Sequence, residues 1–456
     1  MTQRSVVPIF TLALLAACGT TSTVDQAVDA TTGDTAAGDA TDAMAPFHAP
    51  TCDPKRTPIV FAHGFLAASD TWSTQFQRFV ENGFCGNRLF AFDWNTLTQS
   101  AMEARVAELD AFIDGVTQTT GATQVDLVGH SAGGGLAYTY LSDAGRAKKV
   151  RRYAHVASFH NDGPAGPDGK IPTLNLWSDG DLVAGAGDIT AATNEKVPGI
   201  DHYSVATSAP SFVALWKFFG DGTPPTVTDV RPDDAITLRA KALTLGENVA
   251  EAGAEVNVWT LDAKGAHRDA TPVFTAKLAA DGQLGPLTAE VGVSYAFVVK
   301  SQAADKPPIT YYRPPFLRSD ALVYLRTLPS ADSLAGTLLS VVPFDDKATV
   351  LIVFSASRAL ITGKDSLLVD GVQIATPELA DAKHTAIAFF VFDENSNGVS
   401  DGTPVALFQS FPFLSGVDQY MPPTGTSPIA VELNGQRVYV PHQLSKSEGP
   451  VVVVFP

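Results

Sequence analysis

Residues 125–141 read VDLVGHSAGGGLAYTYL, and this stretch decides the fold. A short apolar run leads into Gly129-His130-Ser131-Ala132-Gly133, and a helical pattern follows. Gly-x-Ser-x-Gly between a strand and a helix is typical of a nucleophile elbow, a tight turn that lifts the serine above the sheet. The N–H groups at the helix start favour developing negative charge. The stretch therefore predicts that Ser131 is a catalytic nucleophile.

A serine hydroxyl is a weak nucleophile unless a base removes its proton. His202, in PGIDHYSV, lies between the last predicted strand and the closing helix of this region. The chain order Ser…Asp…His makes His202 the predicted base. The other histidines of the region fit this role less well, because they lie past the first strand, inside the elbow, within a strand pattern or in a loop: His63, His130, His155 and His160.

The same order requires an acid between Ser131 and His202, at the end of a strand. In LNLWSDGDLVA (174–184), two aspartates directly follow an apolar run. We prefer Asp181, because the apolar pair after it would bury one side of the loop and hold the carboxylate toward the sheet. Asp179 and Asp162 are the alternatives, since Asp and Gly after a strand also mark ordinary turns.

Outside the elbow, strand and helix patterns alternate from residue 58 to about 220, which predicts a parallel sheet flanked by helices. Predicted strands cover 58–64, 88–94, 124–130, 150–158 and 171–177, and predicted helices 70–82, 100–118, 131–145 and 210–219. After GDGTPP (220–225), Val- and Phe-rich runs separated by turns predict all-β structure in sandwich or barrel units. We therefore expect an α/β domain over 51–222 and an all-β domain over 223–456, with a weaker division near 314.

The N-terminus has the pattern of an export signal. Arg4 precedes a short apolar stretch, and Leu15-Ala16-Ala17-Cys18 resembles a bacterial lipobox. This predicts a signal peptide over 1–18 and an exported lipoprotein, held at the outer membrane or cell surface by acyl chains on Cys18; an ordinary signal peptide is the alternative. Residues 19–50 are rich in Thr, Ala, Asp and Gly and lack Lys and Arg, which predicts a disordered tether.

The overall charge limits the classes of partner that the protein can bind. The net charge is −17, from 31 basic and 48 acidic residues, which argues against nucleic-acid binding.

Cys52 and Cys85 precede the first two predicted strands. If these strands are adjacent and parallel, the cysteines lie at one sheet edge, where either a disulfide or two buried thiols would result.

Three motifs resemble the bacterial class 2 lipases of the α/β-hydrolase superfamily: His63-Gly64-Phe65, the elbow at 129–133, and Asp201-His202-Tyr203. The chain is also similar to an archaeal lipase with a C-terminal β-barrel domain, in stretches such as 310–316 and 391–415. The resemblance implies an oxyanion hole from the backbone N–H groups of Phe65 and Ala132, and a β domain that helps bind the acyl chain. The lid insertion of the archaeal lipase is absent before the helix at 103–118.

Residues 393–401, DENSNGVSD, follow the opening of a calcium loop. The candidate ligands alternate along it: Asp393, Asn395, Asn397, Val399 and Asp401. The glutamate expected at the twelfth position is replaced by Pro404, so the loop predicts either a structural Ca²⁺ site or a plain hairpin turn.

Together these patterns predict a serine carboxylesterase or lipase that acts on carboxylic esters, including acylglycerol-like lipids, without a catalytic cofactor. A surface-anchored binding or adhesion protein with a silent hydrolase domain is the alternative from a different class. Cleavage of a polyester or thioester by the same triad is a further alternative.

Overall fold

The N-terminal part of the chain is built on a six-stranded parallel sheet of order β2-β1-β3-β4-β5-β6. The structure is a computed structural model that describes residues 50–98, 100–185 and 187–456. The predicted signal peptide, Cys18 and the tether as far as residue 49 lie outside the described residues. The strands are β1 (Ile59–Ala62), β2 (Leu89–Phe92), β3 (Val125–His130), β4 (Val150–Val156), β5 (Thr173–Trp177) and β6 (Thr193–Lys196).

Helices cover both faces of this sheet, as the alternating pattern predicted. The α-helices of this part are α1 (Ser73–Glu81), α2 (Met102–Thr120), α3 (Ala132–Leu141), α4 (Ala144–Ala147), α5 (Ser204–Thr207) and α6 (Ala209–Phe219). Short 3₁₀ helices lie at Ser69–Trp72, Gly86–Arg88 and Pro167–Gly169. None of the helices in the described part of the chain is long and apolar enough to cross a bilayer.

Successive side chains of β1 point to opposite faces of the sheet. Ile59 and Phe61 pack in a cluster with α1 and α6, whereas Val60 packs in another with α2 and α3. In α2, Val106, Leu109 and Ile113 are buried at spacings of three and four, which is the apolar stripe of an amphipathic helix. The sheet is therefore buried on both faces, and only its strand ends are free to carry chemistry.

The C-terminal part contains three further sheets. Its strands are β7 (Ile236–Thr244), β8 (Glu255–Leu261), β9 (Phe274–Lys277), β10 (Gln283–Ala289), β11 (Ser294–Lys300), β12 (Ile309–Arg313), β13 (Asp320–Thr327), β14 (Leu351–Ser355), β15 (Leu367–Val369), β16 (Val372–Gln373), β17 (Ala388–Phe392), β18 (Leu414–Asp418), β19 (Ile429–Leu433), β20 (Gln436–Val440) and β21 (Val451–Phe455). Its helices are α7 (Leu334–Leu339) and a 3₁₀ turn at Phe408–Ser410. The part is thus nearly all β, with a mixture of parallel and antiparallel pairs.

An eight-stranded sheet of order β18-β17-β14-β21-β12-β11-β8-β9 lies in the middle of this part. One of its faces packs in a core with the sheet β10-β7-β13, and the other packs with the sheet β16-β15-β19-β20. Alternate residues of β21 serve the two cores, with Val452 and Val454 on one side and Val451 and Val453 on the other. Strands from both sides of residue 314 share the central sheet, so a division there would cut through it.

Local sequence explains where the predicted elements and the observed ones differ. The predicted helix 70–82 begins as a 3₁₀ turn, and α1 itself starts at Ser73. The edge strand β6 was not predicted, because its residues TNEK are polar and mostly exposed. β1 and β2 pair in parallel, and a disulfide joins Cys52 to Cys85 beside them.

All the described residues belong to one compact unit, and partly buried polar contacts join its two parts. Arg326 of β13 makes two hydrogen bonds to the Asp70 carboxylate, of 2.6 and 2.7 Å. Lys241 of β7 and Tyr324 of β13 both donate to Asp93 Oδ2, at 2.8 and 2.6 Å. Asp70 and Asp93 follow β1 and β2, so the β strands fix the loops at this edge of the parallel sheet.

Candidate active site

Ser131 lies in the turn between β3 and α3, with φ 53° and ψ −122°. A positive φ is a strained conformation for a residue other than glycine, and it is the conformation that a nucleophile elbow imposes on its serine. The turn is close-packed, since a Cβ placed on Gly133 would lie 2.6 Å from Ala62 O. The elbow geometry that the sequence predicted is therefore present at Ser131.

The predicted acid and the predicted base meet beyond the ends of β5 and β6. His202 Nδ1 lies 2.8 Å from Asp181 Oδ2, and both side chains are buried. A carboxylate can only accept here, so Nδ1 carries a proton, and in a neutral imidazole Nε2 then has the lone pair. Nε2 is itself buried and has no hydrogen-bond partner among the described residues. This is the arrangement that a general base requires before it accepts a proton.

Asp181 is held by its own loop, although not in the predicted way. Its Oδ1 accepts hydrogen bonds from the N–H groups of Val183 and Ala184, at 2.8 and 3.1 Å. Leu182 was expected to bury one side of the loop, but its side chain is 53% exposed. Backbone donors rather than an apolar anchor therefore orient the carboxylate.

The two alternative acids do not contact His202. Asp179 pairs with Lys196 at 2.6 Å and accepts from Gly199 N–H at 2.8 Å, at a half-exposed position. Asp162 is exposed in its loop. The structure thus brings together His202 and Asp181, and leaves Asp179 and Asp162 in the turn roles that such residues usually have.

The turn that carries Ser131 is linked to His202 through His130, the residue between Gly129 and Ser131. His130 Nε2 donates to His202 O over 3.2 Å, and the two imidazole rings are 4.8 Å apart. Burial lowers the pKa of His130 well below its usual value, so the ring is neutral and acts as a fixed donor. Within the described residues, no hydrogen bond joins Ser131 Oγ to His202 Nε2. Such bonds are often long before substrate binds.

Two backbone N–H groups near Ser131 are free to bind an oxyanion. Ala132 is the first residue of α3, and the first N–H groups of a helix have no partner within it. Phe65 N–H donates to no atom of the described residues, in a loop whose next residue, Leu66, has φ 59°. A Cβ on Gly64 would lie 2.9 Å from Ser131 Cβ, so this loop passes directly beside the nucleophile.

The remaining histidines have structural roles. His155 is buried and bonds to the Tyr153 hydroxyl at 2.8 Å and to Phe159 O at 2.9 Å, as expected for a core residue. Burial lowers the pKa of His155 to about 4. His63 stacks on Trp94 and accepts from the Trp94 N–H, and burial lowers its pKa as well. His160 is exposed.

The family comparison agrees with this geometry. Residues 56–150 match the model of lipase (class 2), and residues 234–329 match that of the lipase C-terminal domain. The α/β-hydrolase part of the chain is similar to the class 2 lipases. Residues 355–450 match a further model of a C-terminal domain. The similarity to an archaeal lipase stays a prediction.

Several solved structures are similar to part of this lipase-like chain. Bacillus licheniformis lipase BlEst2 in mature form is 18% identical, covers 39% of this chain and 96% of its own, and has a TM-score of 0.31. Esterase RhEst1 from Rhodococcus sp. ECU1013 is 17% identical, with 38% and 94% covered and a TM-score of 0.31. Carboxylesterase CesB (YbfK) from Bacillus subtilis is 15% identical, with 38% and 87% covered and a TM-score of 0.29.

Two residues of the C-terminal part also reach the site of the lipase-like chain. Asn248, in the turn after β7, donates through Nδ2 to Ala67 O and Trp94 O at 2.9 and 3.0 Å. Phe413, just before β18, stacks on the His202 ring with 5.7 Å between centroids. Neither residue carried a functional signal in the sequence, because an Asn in a turn and a Phe before a strand are common.

A narrow cavity of about 40 Å³ lies between the loop that follows β1 and the β sheets of the C-terminal part. Its lining includes Phe65, Leu66, Leu245, Phe354 and Phe413. Space of this size holds a water molecule or two. Ser131 and His202 are themselves only 8% and 1% exposed, so the lipase-like site is closed in this structure.

The predicted calcium loop follows β17 and folds around its first residue. Asp393 is buried, and its carboxylate accepts from the N–H groups of Asn397 and Gly398 at 3.1 and 2.7 Å. Asn395, Val399 and Asp401 are exposed. Across residues 50–98, 100–185 and 187–456, no group of three or more His, Cys, Asp or Glu side chains has the arrangement of a metal site.

Proposed function

We propose that this protein is a serine carboxylesterase or lipase that hydrolyses carboxylic esters through an acyl-enzyme on Ser131. The observation that carries the proposal is the state of His202, whose Nδ1 is bound to Asp181 while the buried Nε2 has no partner in the described chain. An imidazole in this state can accept the proton of a neighbouring serine. The family models for class 2 lipases support the reaction class.

In the proposed reaction, Ser131 Oγ attacks the ester carbonyl carbon as its proton moves to His202 Nε2. The negative charge on the carbonyl oxygen is stabilised by the N–H groups of Phe65 and Ala132. Collapse of this intermediate breaks the carbon–oxygen bond, and the departing alcohol takes the proton from His202. Water then repeats the sequence on the acyl-enzyme, and Asp181 stabilises each imidazolium without being protonated.

The length of the acyl chain that the enzyme would accept is inferred from the cavity beside Phe65. An ester carbonyl between Ser131 and the Phe65 N–H would direct its acyl chain toward the lining formed by Leu66, Leu245 and Phe354. Because this space is narrow, short acyl chains would fit with the least movement of the β domain. Longer chains would require Phe413 and its neighbours to shift.

The cell-surface part of the proposal depends on Cys18. Acyl chains on this residue would anchor the protein to a membrane, and the tether would hold the enzyme body away from it. The substrate would then be an ester outside the cytoplasm, where the Cys52–Cys85 disulfide is also stable.

Hydrolysis of p-nitrophenyl esters from acetate to palmitate tests this function. We expect turnover by the native chain, with the highest kcat/KM for short acyl chains, and a loss of at least about 10⁴-fold in Ser131→Ala. Ser142→Ala is the matched control, since Ser142 is an exposed serine just after the same helix. Lack of turnover of every ester by the native chain would favour the binding protein with a silent hydrolase domain.

A further inference from the structure

An unsatisfied carboxylate lies beneath the loop that follows β17. β17 and β18 pair in parallel with Phe392 opposite Asp418, which places Asp418 under the start of the loop. Asp418 is fully buried, and its Oδ1 accepts from Glu394 N–H at 3.1 Å. Its Oδ2 is also buried and has no donor among the described residues. Leaving such an oxygen without a partner is costly, and an ion or water usually explains it.

Other acidic groups surround this carboxylate. The Asp401 and Asp393 carboxylates lie close enough to Asp418 to interact with it electrostatically. Asp401 lies at the end of the loop, whose next residue, Gly402, donates its N–H to Asp418 O at 2.9 Å. The loop therefore closes back over Asp418.

The loop and Asp418 complement each other chemically. In a twelve-residue calcium loop, oxygen ligands alternate along the chain and a glycine occupies the sixth position. In this chain the sixth position is Gly398. The loop lacks the bidentate acid expected at its twelfth position, where Pro404 stands. Pro404 pairs with Val417, so Asp418 is an acid next to this position, supplied by the adjacent strand instead of by the loop.

We propose that the loop 393–401 and the Asp418 carboxylate together bind one Ca²⁺ ion. Asp418 and Asp401 would supply charged ligands, and since acidic side chains alone do not complete a site, amide and carbonyl oxygens of the loop and water would supply the others. Ca²⁺ accepts such mixed, flexible oxygen ligands, whereas Mg²⁺ requires a nearly ideal octahedron. The ion would stabilise the fold of the β domain and takes no part in ester hydrolysis.

Titration calorimetry and thermal unfolding of the full, EDTA-treated chain test the proposal. We expect Ca²⁺ to bind with a Kd at or below about 10⁻³ M, and 10 mM Ca²⁺ to raise Tm by about 2–5 °C. Mg²⁺ at the same concentration should bind at least about tenfold more weakly.

Asp418→Asn should weaken Ca²⁺ binding at least about tenfold and remove the Tm shift. Asp401→Asn, at the exposed end of the loop, provides the same test if Asp418→Asn does not fold. Asp381→Asn is the control, because Asp381 is an exposed aspartate in another loop of the same domain. Equal Tm values in Ca²⁺ and EDTA without binding heat, native-like binding by both loop-site variants, or equal affinity for Mg²⁺ would overturn the assignment.

Discussion

At the scale of single residues, Asp181 and Asp179 differ by environment rather than by chemistry. Both follow β5, but Asp181 is buried against His202, whereas Asp179 is half-exposed and paired with Lys196. An exposed ion pair contributes little to stability, since solvent and salt screen it. A buried carboxylate that fixes the tautomer of a catalytic base is far more important for the rate.

Replacing Asp181 with Asn should therefore lower kcat by about 10³–10⁴-fold, because the amide no longer holds the proton on Nδ1 or stabilises the imidazolium. Asp179→Asn is the matched control and should leave kcat within about twofold, as expected for loss of an exposed pair. The kcat of each variant is to be measured with p-nitrophenyl acetate as substrate. A loss of less than tenfold in Asp181→Asn, or equal losses in the two variants, would assign the acid elsewhere.

The turn at Ser131 and the choice of His202 were predictable from the sequence, whereas two other residues near the site were not. Gly129-His130-Ser131-Ala132-Gly133 predicted its own turn, because the small residues needed there stand in the sequence itself. The choice of His202 came from chain order. Asn248 and Phe413 could not be found in this way, since they reach the site only through the packing of the β strands onto the parallel sheet.

At the scale of elements, the loop after β1 depends on the turn after β7. Asn248 donates to the carbonyl oxygens of Ala67 and Trp94, and so ties the loop after β1 to the segment after β2. Asn248 has φ 56°, a conformation that Asn tolerates better than most residues. Its side chain acts on the proposed oxyanion hole through this loop, which makes it a positioning residue.

Asn248→Asp should reduce kcat by about 10-fold or more with little change in KM, because a displaced oxyanion donor is felt mainly in the transition state. The substitution replaces an N–H donor by an acceptor that the two carbonyl oxygens repel. Asn87→Asp is a suitable control, because Asn87 is exposed in the 3₁₀ helix Gly86–Arg88 before β2, away from the loops that Asn248 joins. A native kcat in Asn248→Asp, or an equal fall in the control, would contradict a positioning role.

The positions of the first five strands and the main helices along the chain were also predictable, because their apolar residues recur at regular spacings. The pairing of β strands in the C-terminal part was not. Strands such as β21, with the sequence VVVVF, are buried on both faces. Their sequences therefore lack the alternation of apolar and polar residues that would show which face of the strand packs against which sheet. The partnership of β17 with β18, and hence the place of Asp418, follows from pairing that no local pattern specifies.

At the scale of the whole molecule, buried neutral histidines link stability to pH. Burial lowers the pKa values of His130, His63 and His155, the last to about 4. The unfolded chain binds protons at these sites below about pH 6.5, whereas the folded chain does not. Stability is therefore complete above this pH and falls as the pH drops toward 4.

For His155 alone, the shift corresponds to roughly 3 kcal/mol of unfolding free energy lost between pH 6.5 and 4. His155→Gln should make the pH dependence of the unfolding free energy shallower over this range, although the variant is less stable at pH 7. His160→Gln, at an exposed position, should leave the slope close to native. Urea unfolding at pH 7, 5.5 and 4.5 measures both, and an unchanged slope in His155→Gln would contradict the assignment.

Covalent labelling with a p-nitrophenyl alkylphosphonate tests whether Ser131 is a nucleophile activated by His202. We expect the reagent to release one p-nitrophenolate per chain, and peptide mapping to locate the added mass on Ser131. We also expect no label in Ser131→Ala and labelling slowed by at least about 10³-fold in His202→Ala. Native-rate labelling of Ser131→Ala, or a label found on another residue, would contradict this role of Ser131.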